Sequence, residues 1–238
     1  MELNKTVEVL DNIPFKLDAP KIMKFLRPHG ESRRLEEIVR ELIRITNPVA
    51  KPKAVYKVGR VTGKTSHSVQ VDGTTFTSDV LRINLSEVDM VFPFIATCGQ
   101  EVDAIEIPSS EVLKRYCMDV LKMTLAISAS IYLQDVLTKL YCPGKLTSMN
   151  PGELETWPIT QLKEIFSVIG DVEKLIGVRL TESYTMVPLK SRAGIFFATE
   201  SNFESCQLCL QKSCPGRKVA YNPELEREYR DKAKALAG

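Results

Sequence analysis

The most constraining feature of the sequence is a stretch without glycine or proline that runs from Ser109 or Ser110 to Tyr141. Either serine can cap a helix, and the stretch predicts one α-helix of about 30 residues and about 45 Å. Apolar residues occupy more than one side of this helix, which predicts burial against a sheet or in a homodimer. Charged residues such as Asp119 and Lys122 interrupt it, so a membrane span is not expected.

Helix and strand patterns on both sides of this stretch predict an α+β fold with a mixed or antiparallel sheet packed on long helices. Residues 31–46 have the apolar spacing of an amphipathic helix, and residues 91–97 form an apolar run typical of a buried strand. The other predicted elements are a strand at 53–60, the hairpin strands Ser68–Val71 and Thr74–Thr77 around Asp72-Gly73, a helix at 161–175 broken at Gly170, strands at 178–186 and 193–199, and a charged, loosely held helix at Pro223–Ala237.

The charge balance limits the partners that we expect. Lys and Arg number 32 and Asp and Glu number 30, so the chain has no strong field to hold nucleic acid or an anionic membrane. Residues 1–11 mix charges with single apolar residues and lack the apolar core of a secretory signal. The sequence therefore predicts a cytoplasmic protein that binds a small molecule or another protein.

Three of the six cysteines lie close together near the end of the chain. Cys206 and Cys209 have the C-x2-C spacing that directs two thiolates to one centre, and Cys214 follows after four residues. In a reducing compartment this clustering predicts a metal rather than disulfides. Because neither histidine has ligand spacing, we expect an all-sulfur site, either an iron–sulfur cluster of the 4Fe–4S type or a structural zinc. The alternative is that the thiols only pack the tail.

A fourth ligand has to come from elsewhere in the chain, since tetrahedral zinc and cubane clusters take four. Cys98 is the predicted fourth ligand, because it follows the buried strand at 91–97 directly and forms a tight turn with Gly99. Cys142, at the end of the long helix, is the second candidate. Cys117 lies inside the buried helix pattern and is predicted to be a core thiol.

Motifs after residue 175 resemble a known family. Ile176-Gly-Val-Arg-Leu-Thr-Glu-Ser183, Met186-Val-Pro188 and Lys190-Ser-Arg-Ala-Gly194 are similar to the activation domain of cobalamin-dependent methionine synthase. That domain also has a Pro-Gly turn, here Pro151-Gly152, followed by a helix. The resemblance implies an activation-domain-like core at 51–200. We expect an N-terminal helical segment at 1–50 before this core, and a metal-binding Cys-rich segment with a C-terminal helix at 201–238 after it.

The resemblance also implies a function. Domains of this family bind S-adenosylmethionine and sit against the cobalamin module while inactive cob(II)alamin is reduced and methylated. The chain would then be a free-standing accessory protein for a corrinoid-dependent methyltransferase such as methionine synthase, with cobalamin on the partner protein. The resemblance places the ligand site at Pro151, Gly152, Glu182, Lys190 and Ser191.

Two features depart from the family pattern. The family's R-x-x-x-G-Y motif reads Ser148-Met-Asn-Pro-Gly-Glu153 here, so its Arg and Tyr are absent. Weaker binding of S-adenosylmethionine is expected. A guanidinium would donate two parallel hydrogen bonds to the ligand's carboxylate, whereas Lys145 offers only a point charge. The cysteine cluster is an addition, and as an iron–sulfur centre it could pass the electron that the synthase domain receives from a flavoprotein.

The sequence leaves two other functions open. One is an S-adenosylmethionine-binding activation component, and the other is a non-catalytic binding or assembly protein stabilised by zinc. The sequence contains no G-x-G-x-x-G motif, P-loop or Ser-His-Asp arrangement. Whether the chain is itself an enzyme therefore stays undecided at this stage.

Overall fold

The computed structural model describes residues 6–26, 32–142, 144–200, 203–214 and 216–237, and parts of the predicted segments 1–50 and 201–238 lie outside these ranges. The strands are β1 (Val7–Leu10), β2 (Lys53–Lys57), β3 (Gly59–Lys64), β4 (Ser68–Val71), β5 (Thr74–Thr77), β6 (Met90–Thr97), β7 (Leu146–Met149), β8 (Arg179–Leu180), β9 (Met186–Val187) and β10 (Ser191–Ala198). The helices are α1 (Ala19–Leu26), α2 (Arg33–Thr46), α3 (Asp79–Asn84), α4 (Gln100–Asp103), α5 (Val112–Tyr141), α6 (Leu162–Ile169), α7 (Val172–Ile176) and α8 (Pro223–Ala237).

Eight of the strands form one sheet, which confirms the predicted α+β class. Its order is β1-β2-β6-β3-β4-β5, with β10 beside β6 and β7 beside β10. The strand pairings in the described residues are antiparallel. The predicted strand at 53–60 is divided at Val58 into β2 and β3, which both pair with β6.

Helices cover both faces of this sheet. Side chains alternate along β6, so that Val91 and Ile95 pack in a cluster with α6 and α7. Phe92 and Phe94 point the other way and pack with the second half of α5. The first half of α5 packs with α1 and α2 in a third cluster. Burial on both faces explains why the β6 sequence is a continuous apolar run.

The long helix is confirmed as α5, but its start differs from the expectation. Glu111 is the N-cap residue, and its backbone N–H donates to Pro108 O at 3.0 Å. Ser109 and Ser110 therefore lie inside a turn that precedes the cap. By length and apolar composition α5 could cross a membrane. It instead contacts β2, β6, β10 and α2, so it is a core helix of this fold.

The predicted strand at 178–186 is wrong over most of its length. Only Arg179–Leu180 and Met186–Val187 are strands, and they pair with each other as a hairpin. The turn between them is closed by a hydrogen bond from Thr181 N to Thr185 O at 2.9 Å, and Tyr184 has a positive φ of 59°. Short polar side chains hydrogen-bond their own backbone and favour turns over extended strands. The sequence analysis also missed β1, α3, α4 and β7, and it covered α1 only within the predicted helical segment at 1–50.

The C-terminal helix α8 is anchored to the core, although its charged sequence predicted a loosely held tail. The ring of Tyr229 stacks on Phe203 with a centroid distance of 5.6 Å. Its hydroxyl donates to Asn84 Oδ1 at 2.9 Å, and burial raises the pKa of Tyr229 to about 12. Leu225 packs against the same core cluster. These contacts hold α8 over α3.

We expect Tyr229→Ala to lower the free energy of unfolding by about 2 to 3 kcal/mol, because it removes an aromatic contact and a buried hydrogen bond. Amide hydrogen exchange in α8 should accelerate along the whole helix. Lys234→Ala is the matched control, since the Lys234 side chain is exposed on the same helix. Unchanged α8 exchange in Tyr229→Ala would contradict this account of the anchor.

Candidate functional site

A cavity of about 590 Å³ lies beside the first half of β10. Its walls come from α5, from the turn after β7, from the segment that leads into β10, and from the cysteine-rich segment after β10. Four of the five predicted ligand residues line it, together with three of the four predicted metal ligands: Pro151, Gly152, Lys190, Ser191, Cys206, Cys209 and Cys214. The structure thus brings the two predicted sites to one place.

The turn after β7 forms one wall and is held by short contacts. Gly152 has a φ of 88°, and its backbone N–H donates to Trp157 O at 2.7 Å. A Cβ at Gly152 would come within 2.9 Å of the Ile159 side chain, so glycine is required there by space as well as by backbone conformation. Trp157 itself is fully buried against Phe76 and belongs to the core.

A guanidinium lines the cavity, although the motif position Ser148 lacks one. Arg192 on β10 supplies it, and Arg192 Nη2 lies 3.7 Å from Glu153 Oε1. Lys190 adds a second cation, whose Nζ lies 3.7 Å from Asp119 Oδ2 on α5. Lys145, the cation expected from the sequence, is exposed just before β7. The sequence supports this position, because Lys190, Ser191 and Arg192 form a basic turn after Pro188 that suits an anion.

Two polar atoms of cavity-lining residues are buried without a hydrogen-bond partner in the described part of the chain. They are Asn150 Oδ1 and Ser205 Oγ. The residues are only 8% and 7% exposed. An unpaired buried polar atom costs about 1 to 3 kcal/mol, so such atoms usually have a partner. Both atoms are closed off from the open space of the cavity, and Asn150 Oδ1 lies against Gly194 on β10.

The cysteine-rich segment is organised around one arginine. The Arg217 guanidinium donates to Cys206 O at 3.0 Å and Cys209 O at 3.2 Å, and also to Gln211 O. Cys206 and Cys209 are partly buried, and Cys214 is exposed. This arrangement fixes the backbone of the loop and leaves the thiol side chains free to face the cavity.

The donor set of this segment fits a soft metal centre, because three thiols line one wall and thiolates prefer zinc or iron–sulfur centres. Across the described residues, no three Cys, His, Asp or Glu side chains stand close enough to hold a metal. Binding would therefore require the three thiol side chains to converge from their present positions.

Cys98 is not brought together with the other three predicted ligands in the part of the chain that the structure describes. It is fully buried in the cluster of α1, α2 and α5, and its Sγ donates to Gly99 O at 3.6 Å. Burial, and secondarily the Asp103 carboxylate, raises the pKa of the Cys98 thiol to about 12. The reason is strand alternation: Thr97 points toward Ser191, so the next side chain points away.

The other predicted residues are also placed by the structure. Glu182 is exposed in the turn between β8 and β9 and lies outside the set of described residues that line the cavity. Cys117 is buried in a core cluster, as predicted for a core thiol. Cys142, the second candidate for the fourth ligand, is buried in a different core cluster and lies outside the described residues that line the cavity. A second cavity of about 760 Å³ adjoins the first under α8. The two cavities share the lining residues Gly152, Glu153, Ile159, Cys209 and Gln211.

Comparisons with known proteins agree with this architecture. No protein-family model matches the sequence, and no curated protein matches it significantly. Among solved structures, the chain is similar to the MetH reactivation domain bound to AdoHcy, with a TM-score of 0.58 and 16% sequence identity, over 84% of this chain and 80% of that chain. The chain has the reactivation-domain fold. This confirms, for the fold, the resemblance found in the sequence.

On this reactivation-domain fold, the cavity offers contacts for a zwitterion with an apolar part. Lys190 and Arg192 are positive. Glu153 accepts a hydrogen bond from Asn150 Nδ2 at 2.5 Å and lies 3.7 Å from Arg192 Nη2. Met123 and Ile127 on α5 give an apolar wall. A molecule with a carboxylate, an ammonium group and an apolar surface would find each of these groups matched.

Proposed function

We propose that the protein is an accessory factor for reductive reactivation of a corrinoid-dependent methyltransferase such as methionine synthase, with cobalamin on the partner. One observation carries the proposal: a single cavity is lined by the Pro151-Gly152 turn, by Lys190 and Ser191, and by three thiols. The reactivation-domain fold, in a relative bound to AdoHcy, supports a ligand of the S-adenosyl type at this cavity.

The charged groups of the cavity suit the amino-acid end of such a ligand. Arg192 and Lys190 bind its carboxylate, and Glu153 binds its ammonium group. These contacts compensate for the Arg and Tyr that are absent from the motif at 148–153.

The metal part of the proposal rests on Cys206, Cys209 and Cys214. They would hold an iron–sulfur cluster, with zinc as the alternative occupant. When bound, such a cluster supplies single electrons at low potential, drawn from a ferredoxin-type or flavin-type donor. The chain's own contribution is to fix the loop through Arg217 and to place it beside the ligand cavity.

Docking of the corrinoid protein is proposed at the mouth of the same cavity. Leu189 is 60% exposed and Ile159 is 46% exposed, and both line the cavity. Exposed apolar side chains that rim a polar site are typical of protein contact surfaces. A partner that covers them would exclude water from the space between its cofactor and the cavity.

The ligand assignment predicts the effect of Arg192→Gln. We expect its affinity for AdoHcy to fall about tenfold, because a charge-assisted hydrogen bond to the carboxylate is lost. Isothermal titration calorimetry measures this change. Arg179→Gln is the matched control, since Arg179 is an exposed arginine on β8. Equal AdoHcy affinity in wild type and Arg192→Gln would refute the carboxylate contact.

The function is tested with a corrinoid protein held in the cob(II) state. Under anaerobic conditions we expect co-elution on size-exclusion chromatography, and loss of the cob(II) signal in electron paramagnetic resonance (EPR) spectra when S-adenosylmethionine and a low-potential donor are added. Absence of association in either cobalt state would refute the proposal. Association and AdoHcy binding by a chain without iron would instead favour the S-adenosylmethionine-binding component. A chain that holds zinc and binds neither the corrinoid protein nor AdoHcy would favour the non-catalytic binding or assembly protein.

A further inference from the structure

We propose that Cys206 and Cys209 are a reversible dithiol–disulfide pair, which a low-molecular-weight disulfide oxidises when the cysteine-rich segment holds no metal. The pair is then a modification site in the wall of the ligand cavity. This inference does not rest on metal binding or on the proposed function, because it needs only the two thiols and the turn that carries them.

The two cysteines stand at the ends of one tight turn. The 3₁₀-helix Ser205–Gln207 is followed by Leu208, and the backbone N–H of Cys209 donates to Cys206 O at 3.4 Å. Side chains three residues apart in a 3₁₀ turn lie on the same side of the backbone. The Cα atoms at the ends of a tight turn are less than about 7 Å apart, and disulfides bridge Cα separations of about 4.4 to 6.8 Å. A bond between Cys206 and Cys209 therefore needs rotation of the two side chains, with the turn in place.

Side-chain contacts hold this turn in place. The Arg217 guanidinium donates to Cys206 O at 3.0 Å and to Cys209 O at 3.2 Å, so one rigid group spans the two cysteines. A capping box joins Glu204 to Gln207, with Glu204 N donating to Gln207 Oε1 at 2.9 Å. Because the turn is already ordered, closing the disulfide costs little chain entropy.

The three core cysteines differ from this pair in access and in reactivity. Cys98, Cys117 and Cys142 are buried in core clusters, and burial raises the pKa of each thiol. The thiolate is the reacting species in disulfide exchange, so these three thiols react least. Cys206 and Cys209 are only partly buried, and both line the cavity.

Cys214 is exposed and is the competing thiol in the cysteine-rich segment. It belongs to a different turn, in which Arg217 N donates to Cys214 O at 3.1 Å. Its Sγ lies 3.9 Å from the position that a Cβ would take on Gly216, inside that second turn. A shared backbone turn thus joins Cys206 to Cys209 and does not include Cys214.

The reaction is thiol–disulfide exchange with glutathione disulfide or another disulfide of that class. One cysteine thiolate attacks a sulfur of the oxidant, whose S–S bond breaks and releases the first thiol. The second cysteine thiolate attacks the mixed disulfide, forms the bond between Cys206 and Cys209, and releases the second thiol. The protein dithiol loses two electrons and two protons, and the oxidant gains them as two free thiols. A dithiol reductant reverses the reaction.

The disulfide has consequences for the site. Cys209 lines both cavities, so oxidation changes the wall between them. Metal ligation requires free thiolates, so the disulfide and a metal centre on the same two cysteines exclude each other. In reducing compartments, disulfides of this kind are transient and redox-sensing rather than structural. Oxidation of the pair is therefore a reversible switch beside the ligand cavity.

The experiment uses the full chain, treated with a chelator and reduced, with glutathione disulfide as the oxidant. Alkylation of the native protein and mass spectrometry count the accessible thiols in wild type and in the control Cys214→Ala. The same control is combined with Cys206→Ala or with Cys209→Ala. We expect wild type and Cys214→Ala to lose both thiols of the pair, to retain no glutathione on them, and to give a cross-linked peptide that contains Cys206 and Cys209. In each combined variant we expect a stable glutathione adduct on the remaining cysteine of the pair.

Three outcomes would overturn the inference: a stable glutathione adduct on Cys206 or Cys209 in wild type, a wild-type cross-link from either cysteine to Cys214, or thiols of the pair that stay free while glutathione reacts with Cys214. Should a variant fail to fold, the wild-type peptide map decides. Because the chelated chain holds no metal, these outcomes are independent of the iron content that tests the proposed metal centre.

Discussion

Cys206→Ser or Cys209→Ser is expected to reduce the bound iron of the anaerobically reconstituted protein from about four atoms per chain to almost none. A serine hydroxyl is a hard, weakly acidic donor and does not replace a thiolate in a soft metal centre. Cys206 and Cys209 are the pair with C-x2-C spacing, so the centre depends on both. Metal analysis and the visible absorption spectrum measure the effect.

The control for this prediction is Cys117→Ala, because Cys117 is a fully buried thiol inside α5. Its metal content should equal that of the wild type. Iron retained in both Cys206→Ser and Cys209→Ser would rule out the cysteine-rich segment as the metal site. If the wild type instead holds one zinc per chain and these same variants lose it, the predicted cysteine ligands stand and the centre has a structural role.

Gly194→Ala is expected to lower the free energy of unfolding by about 3 kcal/mol or more. A Cβ on Gly194 would lie within 3.0 Å of the Asn150 side chain and of the Met149 backbone oxygen, closer than real Cβ atoms come. The backbone oxygen cannot move without separating the end of β7 from β10. Urea denaturation measures the change as a shift in the midpoint urea concentration, while the slope of the unfolding free energy against urea concentration stays constant.

Gly144→Ala is the control for the stability prediction, because a Cβ there would meet no described atom within 4 Å. Its unfolding free energy should stay within about 0.5 kcal/mol of the wild type. Equal stability of Gly194→Ala and Gly144→Ala would contradict the close approach of the two strands. The same approach holds Asn150 in the cavity wall, so AdoHcy affinity should fall together with stability in Gly194→Ala.

Secondary-structure elements that depend only on residues close together in the chain were predictable from the sequence. The hairpin between β4 and β5 followed from Asp72-Gly73, and both residues have the positive φ that this turn requires, 48° and 85°. The length of α5 followed from the absence of glycine and proline between its ends. The hairpin of β8 and β9 was missed, because its apolar residues suggested one strand while the polar Thr181-Glu-Ser183 favoured a turn.

Only the tertiary structure explains why Pro93 is tolerated inside a central strand. Proline lacks the N–H that a central strand needs, yet Pro93 lies in β6, which has neighbours on both sides. The pairing of β2 with β6 ends at Phe94, and that of β3 begins at Val91. Pro93 therefore falls at the junction of two strands, where a missing donor removes no ladder bond on that side.

The sequence by itself determined which residues are candidates for the chemistry. It identified the thiols at 206, 209 and 214, the Pro-Gly turn and the Lys190-Ser191 segment, because residue type and short spacing are local properties. Only the tertiary structure decided that these segments share one cavity, that Arg192 supplies its guanidinium, and that Cys98 lies in a separate core cluster. The physical reason is that strand register and alternation set which side chains meet, and both depend on packing between segments far apart in the chain.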